Sequence, residues 1–203
     1  SRELVSSMAL FALLSILIFS FALELDREAR ESAISGVLWV TVIYASTIGL
    51  NRSMAMEREQ ANLDGMLIAP VDRTAIFVGK LVGNFIFTAV VGCILLPVMT
   101  ILYNKTLLTI DVFTILLLGT LGFSTVGTLL ATMTVQTRAR ESLLPIAMLP
   151  ITLPMMLAAV RATTSILSAT PQDEGVTWLQ ILVVVDLVYL AASFLLFEFV
   201  VEE

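Results

Sequence analysis

The sequence predicts an all-α integral membrane protein with six transmembrane helices. Apolar residues make up 58% of its 203 residues and charged residues only 14%, whereas an average soluble domain is about half apolar and about a quarter charged. The mean hydropathy is +0.99. A globule of 22.1 kDa has too little interior to bury so much apolar surface, but a bilayer can accommodate it. No apolar segment shows the two-residue alternation of a barrel strand, so helices are the predicted spanning elements.

Six segments are long enough to cross the hydrocarbon core, because a helix rises 1.5 Å per residue and a span needs about 20 residues. The predicted spans, in one transmembrane domain over residues 1–203, are 4–23, 34–50, 74–102, 112–135, 142–160 and 177–201. The first is an unbroken apolar run without a small-residue cleavage site, so it is predicted to be a retained span and not a signal peptide. Because the sequence starts at Ser1 without a Met, we expect further residues before it.

The connections support these spans. Before the second span, residues 24–31 mix four acids with two arginines and read as a solvated turn. The third span follows Pro70, which ends any preceding helix, and Asp72, which can cap the new one. The sixth span follows residues 161–176, which are rich in Ser and Thr and are expected to be irregular.

Lysines and arginines predict the orientation, because they concentrate in cytoplasmic loops. With a cytoplasmic N-terminus, seven lie inside and four outside. The inside set is Arg2, Arg52, Arg58, Arg73, Lys80, Arg138 and Arg140, and the outside set is Arg27, Arg30, Lys105 and Arg161. Both termini are therefore predicted to be cytoplasmic.

The connection between the second and third spans, residues 51–73, is too long to be only a turn. Met56, Leu63 and Leu67 lie seven and four residues apart, which places them on one face of a helix. The pattern predicts a short amphipathic helix at the cytoplasmic surface, ended by Pro70. Amphipathicity alone leaves two roles open: a helix that returns the chain to the bilayer, or one that docks a partner protein.

Residues in and after this loop resemble the signature of ABC-2-type permeases. They are Glu57, Leu63, Asp64, Leu67, Pro70, Asp72, Arg73 and Lys80. More narrowly, the stretches LDGMLIAPVDRTAIFVGKLVGN and RARESLLPIAMLPITLPMMLAA are similar to the CcmB family, and the resemblance covers essentially the whole chain. The chain departs from the family pattern at Ala61, where many relatives have Gly, and at Asn51, where an acidic residue is frequent.

The resemblance implies an ABC-2-like transmembrane domain whose 51–73 loop is a coupling helix seated in a separate ATPase. The residues it assigns to coupling are Glu57, Glu59, Leu63, Asp64, Leu67 and Pro70. The chain would be the non-catalytic, membrane-spanning subunit of an ABC transporter for cytochrome c maturation. ATP hydrolysis would drive haem export, or release of haem onto an extracytoplasmic haem chaperone.

The same resemblance implies a CcmA-like ATPase that binds ATP, a CcmC-like haem-handling membrane protein and a haem chaperone as partners. It places the chain in the plasma (inner) membrane of a prokaryote and leaves a homodimer open. Two other classes stay open: an ABC-2 permease that exports a lipid, drug or polysaccharide, and a membrane scaffold without transport.

Asp186, Lys80 and Asn84 are the polar residues inside predicted spans that are candidates for a functional role. Asp186 is the only acid deep in a span, and it is interpreted either as a contact on a substrate path or in assembly, or as a protonated or hydrogen-bonded carboxyl facing a neighbouring helix. Lys80 and Asn84 lie one turn apart in the third span, where Lys80 is expected to extend towards the headgroups. Gly79 and Gly83 form a GxxxG pair that would admit a neighbouring helix. The fourth span carries a second small-residue face, formed by Gly119, Thr120, Gly122, Ser124, Gly127 and Thr128.

The fifth span contains Pro145, Pro150 and Pro154, each of which removes a helix hydrogen bond and can bend the helix. A static kinked helix and a flexible element that moves with the ATPase are both compatible with this pattern. The implied motor favours the second.

The residue inventory argues against a resident cofactor, an enzyme or a nucleic-acid-binding protein. The chain has no histidine and a single cysteine, Cys93, which removes the usual zinc and haem ligands. It has no GxxxxGK[ST] loop for ATP and no basic run for nucleic acid. Nine methionines could offer thioether ligands to haem iron, but Met also fills apolar interfaces, which we favour. Haem is therefore expected only as a transported or complex-bound ligand.

Overall fold

The computed structural model describes residues 2–22, 27–59, 73–134, 140–168 and 172–200, which form six helices. The helices are α1 (Arg2–Ala22), α2 (Arg27–Glu59), α3 (Arg73–Tyr103), α4 (Ile110–Thr134), α5 (Arg140–Leu167) and α6 (Gln172–Val200). Each contains a stretch long and apolar enough to cross a membrane, from 18 residues in α1 to 30 in α3. The prediction of six spanning helices is confirmed, and the protein is a multi-pass membrane protein.

Helix α2 is longer than its predicted span at both ends. It begins at Arg27, within the expected outer turn, and continues to Glu59, nine residues into the predicted 51–73 loop. Both extensions are rich in Ala, Glu, Arg and Met, which are strong helix formers, and neither contains Gly or Pro. Polarity therefore marked the edge of the membrane but not the end of the helix.

The expectation of an irregular connection over residues 161–176 is wrong for most of its length. Helix α5 runs to Leu167 and α6 begins at Gln172. Hydroxyl side chains fit this extension because they donate to carbonyls of the preceding turn, as Thr163 does to Ala159 and Thr164 to Val160, both at 2.8 Å. Arg161 is thus an exposed helical residue.

Helices α2 and α4 form the centre of the bundle. In their membrane spans 67% and 72% of the residues are buried, against 17% in α1 and in α6. Helix α4 contacts α2, α3, α5 and α6, whereas α1 contacts only α2 and α3 extensively. The outer helices present apolar side chains to the lipid, as expected for a bilayer-embedded bundle. Examples are Leu10, Leu14, Ile18, Phe21, Leu187, Val188 and Leu195.

Contacts at the helix ends show which ends share a side of the membrane. Gly49, near the end of α2, packs against Met8, near the start of α1. Phe77, in the first turns of α3, packs against Phe194 and Phe197 near the end of α6. The end of α2 and the start of α3 therefore lie on the same side as the start of α1 and the end of α6. We call this side the inner side.

Candidate functional site

The predicted coupling segment is only partly within the described residues. Glu57 and Glu59 lie in the last turns of α2, of which the backbone alone is described. Leu63, Asp64, Leu67 and Pro70 fall outside the described residues. Their roles stay predictions. What the structure does show is where the two helices that flank this segment are attached to the rest of the bundle.

A compact apolar cluster lies where α3 leaves the segment. We call it the inner cluster, and it consists of Phe77, Leu81, Leu129 and Phe197, with Leu190 packed against it. Phe77 is fully buried, with its ring centroid 4.9 Å from that of Phe197 and 5.3 Å from that of Phe194. Because Phe77 lies four residues after the start of α3, this cluster joins the beginning of α3 directly to α4 and α6. A displacement of α3 at this end must move or break these contacts.

The polar pair predicted on α3 lies just beyond the cluster. Asn84 is buried, and its Nδ2 donates a hydrogen bond to Thr128 Oγ1 of α4 at 2.9 Å. Lys80 is half-buried with its Nζ enclosed by protein, seven residues after the start of α3, and its predicted extension towards the headgroups stays a prediction. Lys80 thus belongs to the packed interior of this part of α3, at the inner side.

Replacing Asn84 by leucine should weaken the contact between α3 and α4 by about 1 kcal/mol, since buried interhelical hydrogen bonds in membranes contribute about 0.6–2 kcal/mol. The free energy of unfolding would be measured by sodium dodecyl sulfate titration of the chain in mixed micelles. Thr128→Val removes the other partner, so the double variant should cost little more than either single variant. Fully additive losses would show that the bond contributes nothing.

The small-residue face predicted on α4 makes close contacts with neighbouring helices in the described bundle. A Cβ atom at Gly119 would stand 2.2 Å from Trp39 Cη2, and one at Gly127 would stand 2.4 Å from Leu50 Cδ1. Since real Cβ atoms do not approach so closely, a side chain at Gly119 would force the rigid Trp39 ring to move, whereas at Gly127 the flexible end of Leu50 could shift. By contrast, a Cβ at Gly79 or Gly83 of α3 would meet nothing within 4 Å, so this GxxxG pair makes no close contact with the described residues.

Trp39 connects three helices, and no sequence motif pointed to it. Its side chain is 1% exposed, its ring lies on Gly119 of α4, and its Nε1 donates to Thr163 Oγ1 of α5 at 3.0 Å. Tryptophan in membrane proteins is usually found at the interfaces. A tryptophan well inside an apolar span, with a glycine-rich helix elsewhere in the chain, is the signal that could have found it.

Asp186 lies at the middle of the bundle, where α6 packs on α4 and α5. Its side chain is 3% exposed, and neither carboxyl oxygen has a hydrogen-bond partner among the described residues. A Cβ at Gly122 would stand 2.1 Å from Asp186 Oδ1 and 2.8 Å from Met155 Sδ. Asp186 thus lies against α4 and α5, and both sequence interpretations of its role stay open.

The proline-rich helix α5 continues unbroken from Arg140 to Leu167 through all three proline positions. Pro150 and Pro154 are exposed, and the side chain of Pro145 is outside the described set. Between the two exposed prolines, the Ile151 carbonyl accepts a hydrogen bond from the Tyr189 hydroxyl of α6. Because proline has no N–H, the carbonyls that lose a helical donor to Pro150 and Pro154 are those of Ile146 and Pro150. The Tyr189 bond therefore adds to the contact between α5 and α6 and does not replace a bond lost to a proline. Pro150 and Pro154 therefore face away from the core, while the backbone between them contacts α6.

Other ligand chemistry is sparse among the described residues. No three His, Cys, Asp or Glu side chains in that part of the chain come together as a metal site. The methionines Met8, Met99, Met148 and Met155 are each at most 2% exposed and belong to the apolar core. This placement agrees with their interpretation as packing residues.

Comparison with known proteins gives a consistent assignment. The family described as CcmB protein matches residues 1–201. A protein of Rhodobacter capsulatus named "Heme exporter protein B" is 28% identical over 150 residues, which cover 72% of this chain and 68% of the relative. A protein of the same name from Pseudomonas aeruginosa is 22% identical over 178 residues, which cover 87% of this chain and 79% of the relative.

Proposed function

This chain belongs to the CcmB family, and from that membership we propose that it is the membrane-spanning, non-catalytic subunit of an ABC transporter that handles haem. The observation that carries the proposal is the extent of the family match, which includes all six helices and the segment between α2 and α3. In this proposal a separate CcmA-like subunit binds and hydrolyses ATP. Both termini and the 51–73 segment lie on the cytoplasmic face of a prokaryotic plasma membrane.

The inner cluster supports a mechanical role for the 51–73 segment. A push on this segment by a closing ATPase would act first on the ends of α2 and α3 that flank it. Near the start of α3, Phe77 packs against Phe197 of α6. One helix turn further on from Lys80, Asn84 donates a hydrogen bond to Thr128 of α4. Because packed interfaces move as units and do not deform continuously, the push would reach the centre of the bundle through these two contacts.

The output proposed for this movement is haem export, or release of haem onto an extracytoplasmic chaperone with the help of a CcmC-like partner. The names of the two relatives support a haem-related output, since both are called heme exporters. The sequence contains no histidine, the commonest protein ligand of haem iron. We therefore assign haem ligation to a partner and force transmission to this chain.

Co-purification from the native host tests the proposal. The tagged chain would be isolated in mild detergent and its partners identified by mass spectrometry, with a haem absorbance scan of the eluate. We expect an ABC-type ATPase together with a haem-handling membrane protein. An ATPase without haem proteins would redirect the cargo to another class, such as a lipid, drug or polysaccharide. Recovery of the intact chain without any ATPase would contradict the proposal.

Leu67→Asp should lower recovery of the ATPase by about tenfold or more, because a charge placed at a buried interface position typically costs at least about 2 kcal/mol. Mature cytochrome c should fall in parallel, and Asp64→Lys should act in the same direction. The matched control is Leu108→Asp, the same change at an exposed position on the opposite side of the membrane. If cells with Leu67→Asp produce normal amounts of the chain and normal amounts of mature cytochrome c, the assignment of the 51–73 segment to ATPase coupling is wrong.

A further inference from the structure

Asp186 lies at the middle of its own membrane span. It is the central residue of the span Gly175–Phe197, so each end of the span is about 16 Å away along the helix. Gly122 and Met155, which it contacts, lie near the middle of their own spans, Ile110–Met133 and Ile146–Leu167. The carboxyl group is therefore far from both headgroup regions and cannot reach water by extending along the helix.

The contact with Gly122 leaves no room for a mediator between the carboxyl and α4. Asp186 Oδ1 lies in contact with the Cα of Gly122, in the space that any larger residue would fill with its Cβ. Met155 Sδ closes the same site from α5. A thioether sulfur accepts hydrogen bonds only weakly and donates none. Neither Gly122 nor Met155 thus offers a donor that would stabilise an ionised carboxylate.

Among the described charged and titratable side chains of the helices packed on α6, none hydrogen-bonds to the Asp186 carboxyl either. On α4 the one charged residue is Asp111, exposed in the first turn. Helix α5 carries Arg140, Glu141 and Arg161, and α3 carries Arg73, Lys80, Cys93 and Tyr103. Helix α6 itself carries Asp173, Glu174, Tyr189 and Glu198. Tyr189, less than a turn from Asp186, already donates its hydroxyl to the Ile151 carbonyl. None of the described side chains on these helices hydrogen-bonds to the Asp186 carboxyl.

An ionised carboxylate without a donor or cation is strongly disfavoured in a low-dielectric interior, and the group takes up a proton instead. We propose that Asp186 is a proton-binding site at the centre of the bilayer: its carboxyl is neutral while α6 packs on Gly122, and it releases the proton when the two helices separate and water enters. The ligand of this site is the proton itself.

The consequence for pH follows from linkage. The packed arrangement binds one proton more than the separated arrangement, so packing of α6 on α4 is favoured as the pH falls. As the pH rises through the range in which that proton is lost, the packed arrangement becomes less stable. Asp186→Asn, which is isosteric with the protonated acid but cannot titrate, should remove this dependence.

Infrared spectroscopy of the full-length chain in lipid nanodiscs tests the proposal directly, because a protonated carboxyl absorbs separately from a carboxylate. We expect the protonated-carboxyl band at neutral pH in the unmodified chain, its loss in Asp186→Asn and its retention in Asp111→Asn, the control at an exposed position. A carboxylate signal as the feature lost in Asp186→Asn would overturn the proposal.

A pH titration of the unmodified chain keeps the test valid even if Asp186→Asn fails to fold. The band should persist at neutral pH and disappear in alkaline buffer, and the melting temperature should decline over the same range. Absence of the band at neutral pH, or a melting temperature that does not follow it, would overturn the proposal. The measurements need no ATPase, so their outcome is independent of the transporter assignment.

Discussion

Replacing Trp39 by alanine is expected to destabilise the bundle by about 3–5 kcal/mol, the range for large aromatic residues removed from a core. The ring is 1% exposed and fills the space between the central helix α4 and the helix α5. Its removal would leave a cavity against Gly119, which has no side chain to close it. It would also leave Thr163 Oγ1 without its indole donor, although Thr163 keeps its own bond to the Ala159 carbonyl.

The change would be measured as the free energy of unfolding in mixed micelles. Trp39→Phe should keep most of the packing but lose the hydrogen bond. Its free energy of unfolding should therefore lie between those of the unmodified chain and Trp39→Ala. Trp178→Ala is the matched control, because Trp178 is the other tryptophan of the chain and is only half-buried. If both alanine variants lost the same amount, the proposed role of Trp39 as the contact between three helices would be wrong.

Gly119→Ala is expected to destabilise the bundle by about 1–3 kcal/mol, even though alanine is the better helix former. The added methyl would stand 2.2 Å from Trp39 Cη2 and 2.5 Å from Cζ3, so the indole or the whole of α2 would have to shift. Gly119→Leu should be worse, since a longer side chain cannot fit by a small adjustment.

Gly79→Ala provides the matched control for this change. A Cβ at Gly79 meets nothing within 4 Å, so the same substitution should be neutral or stabilise the isolated chain by up to about 1 kcal/mol through helix propensity. Combining Gly119→Ala with Trp39→Leu should cost less than the sum of the single losses, because the smaller side chain makes room for the methyl. If Gly79→Ala were destabilising and Gly119→Ala neutral, the claim that α4 packs closely on Trp39 at Gly119 would be contradicted.

Hydropathy was sufficient to predict the number and order of the helices because each span must satisfy its backbone hydrogen bonds internally. It could not locate the ends of α2 and α5, since the polar residues beyond the membrane continue the helix through propensity and hydroxyl-to-carbonyl bonds. Hydropathy thus predicts where a segment leaves the membrane, whereas the point at which the helix ends depends on the local sequence.

The contacts between helices were predictable only in part. The small residues of α4 indicated a close contact, and the depth of Asp186 indicated a buried carboxyl, but neither pattern identified the partner. Gly122 and Asp186 are separated by the second half of α4, by α5, by the first half of α6 and by two connections, and Trp39 and Thr163 are 124 residues apart. Gly79 and Gly83 show the converse, since the same small-residue spacing makes no close contact with the described residues. Spacing along one helix shows where a contact can form, and the fold decides whether it does.

The most direct test of the central claim is the rate of ATP hydrolysis by the partner ATPase in nanodiscs, with and without this chain. Transmission through the 51–73 segment predicts that the unmodified chain changes the rate by severalfold, that Leu67→Asp abolishes the change and that Leu108→Asp preserves it. An ATPase whose rate is the same with the unmodified chain, with Leu67→Asp and with no chain at all would contradict the claim that this subunit is coupled to ATP hydrolysis.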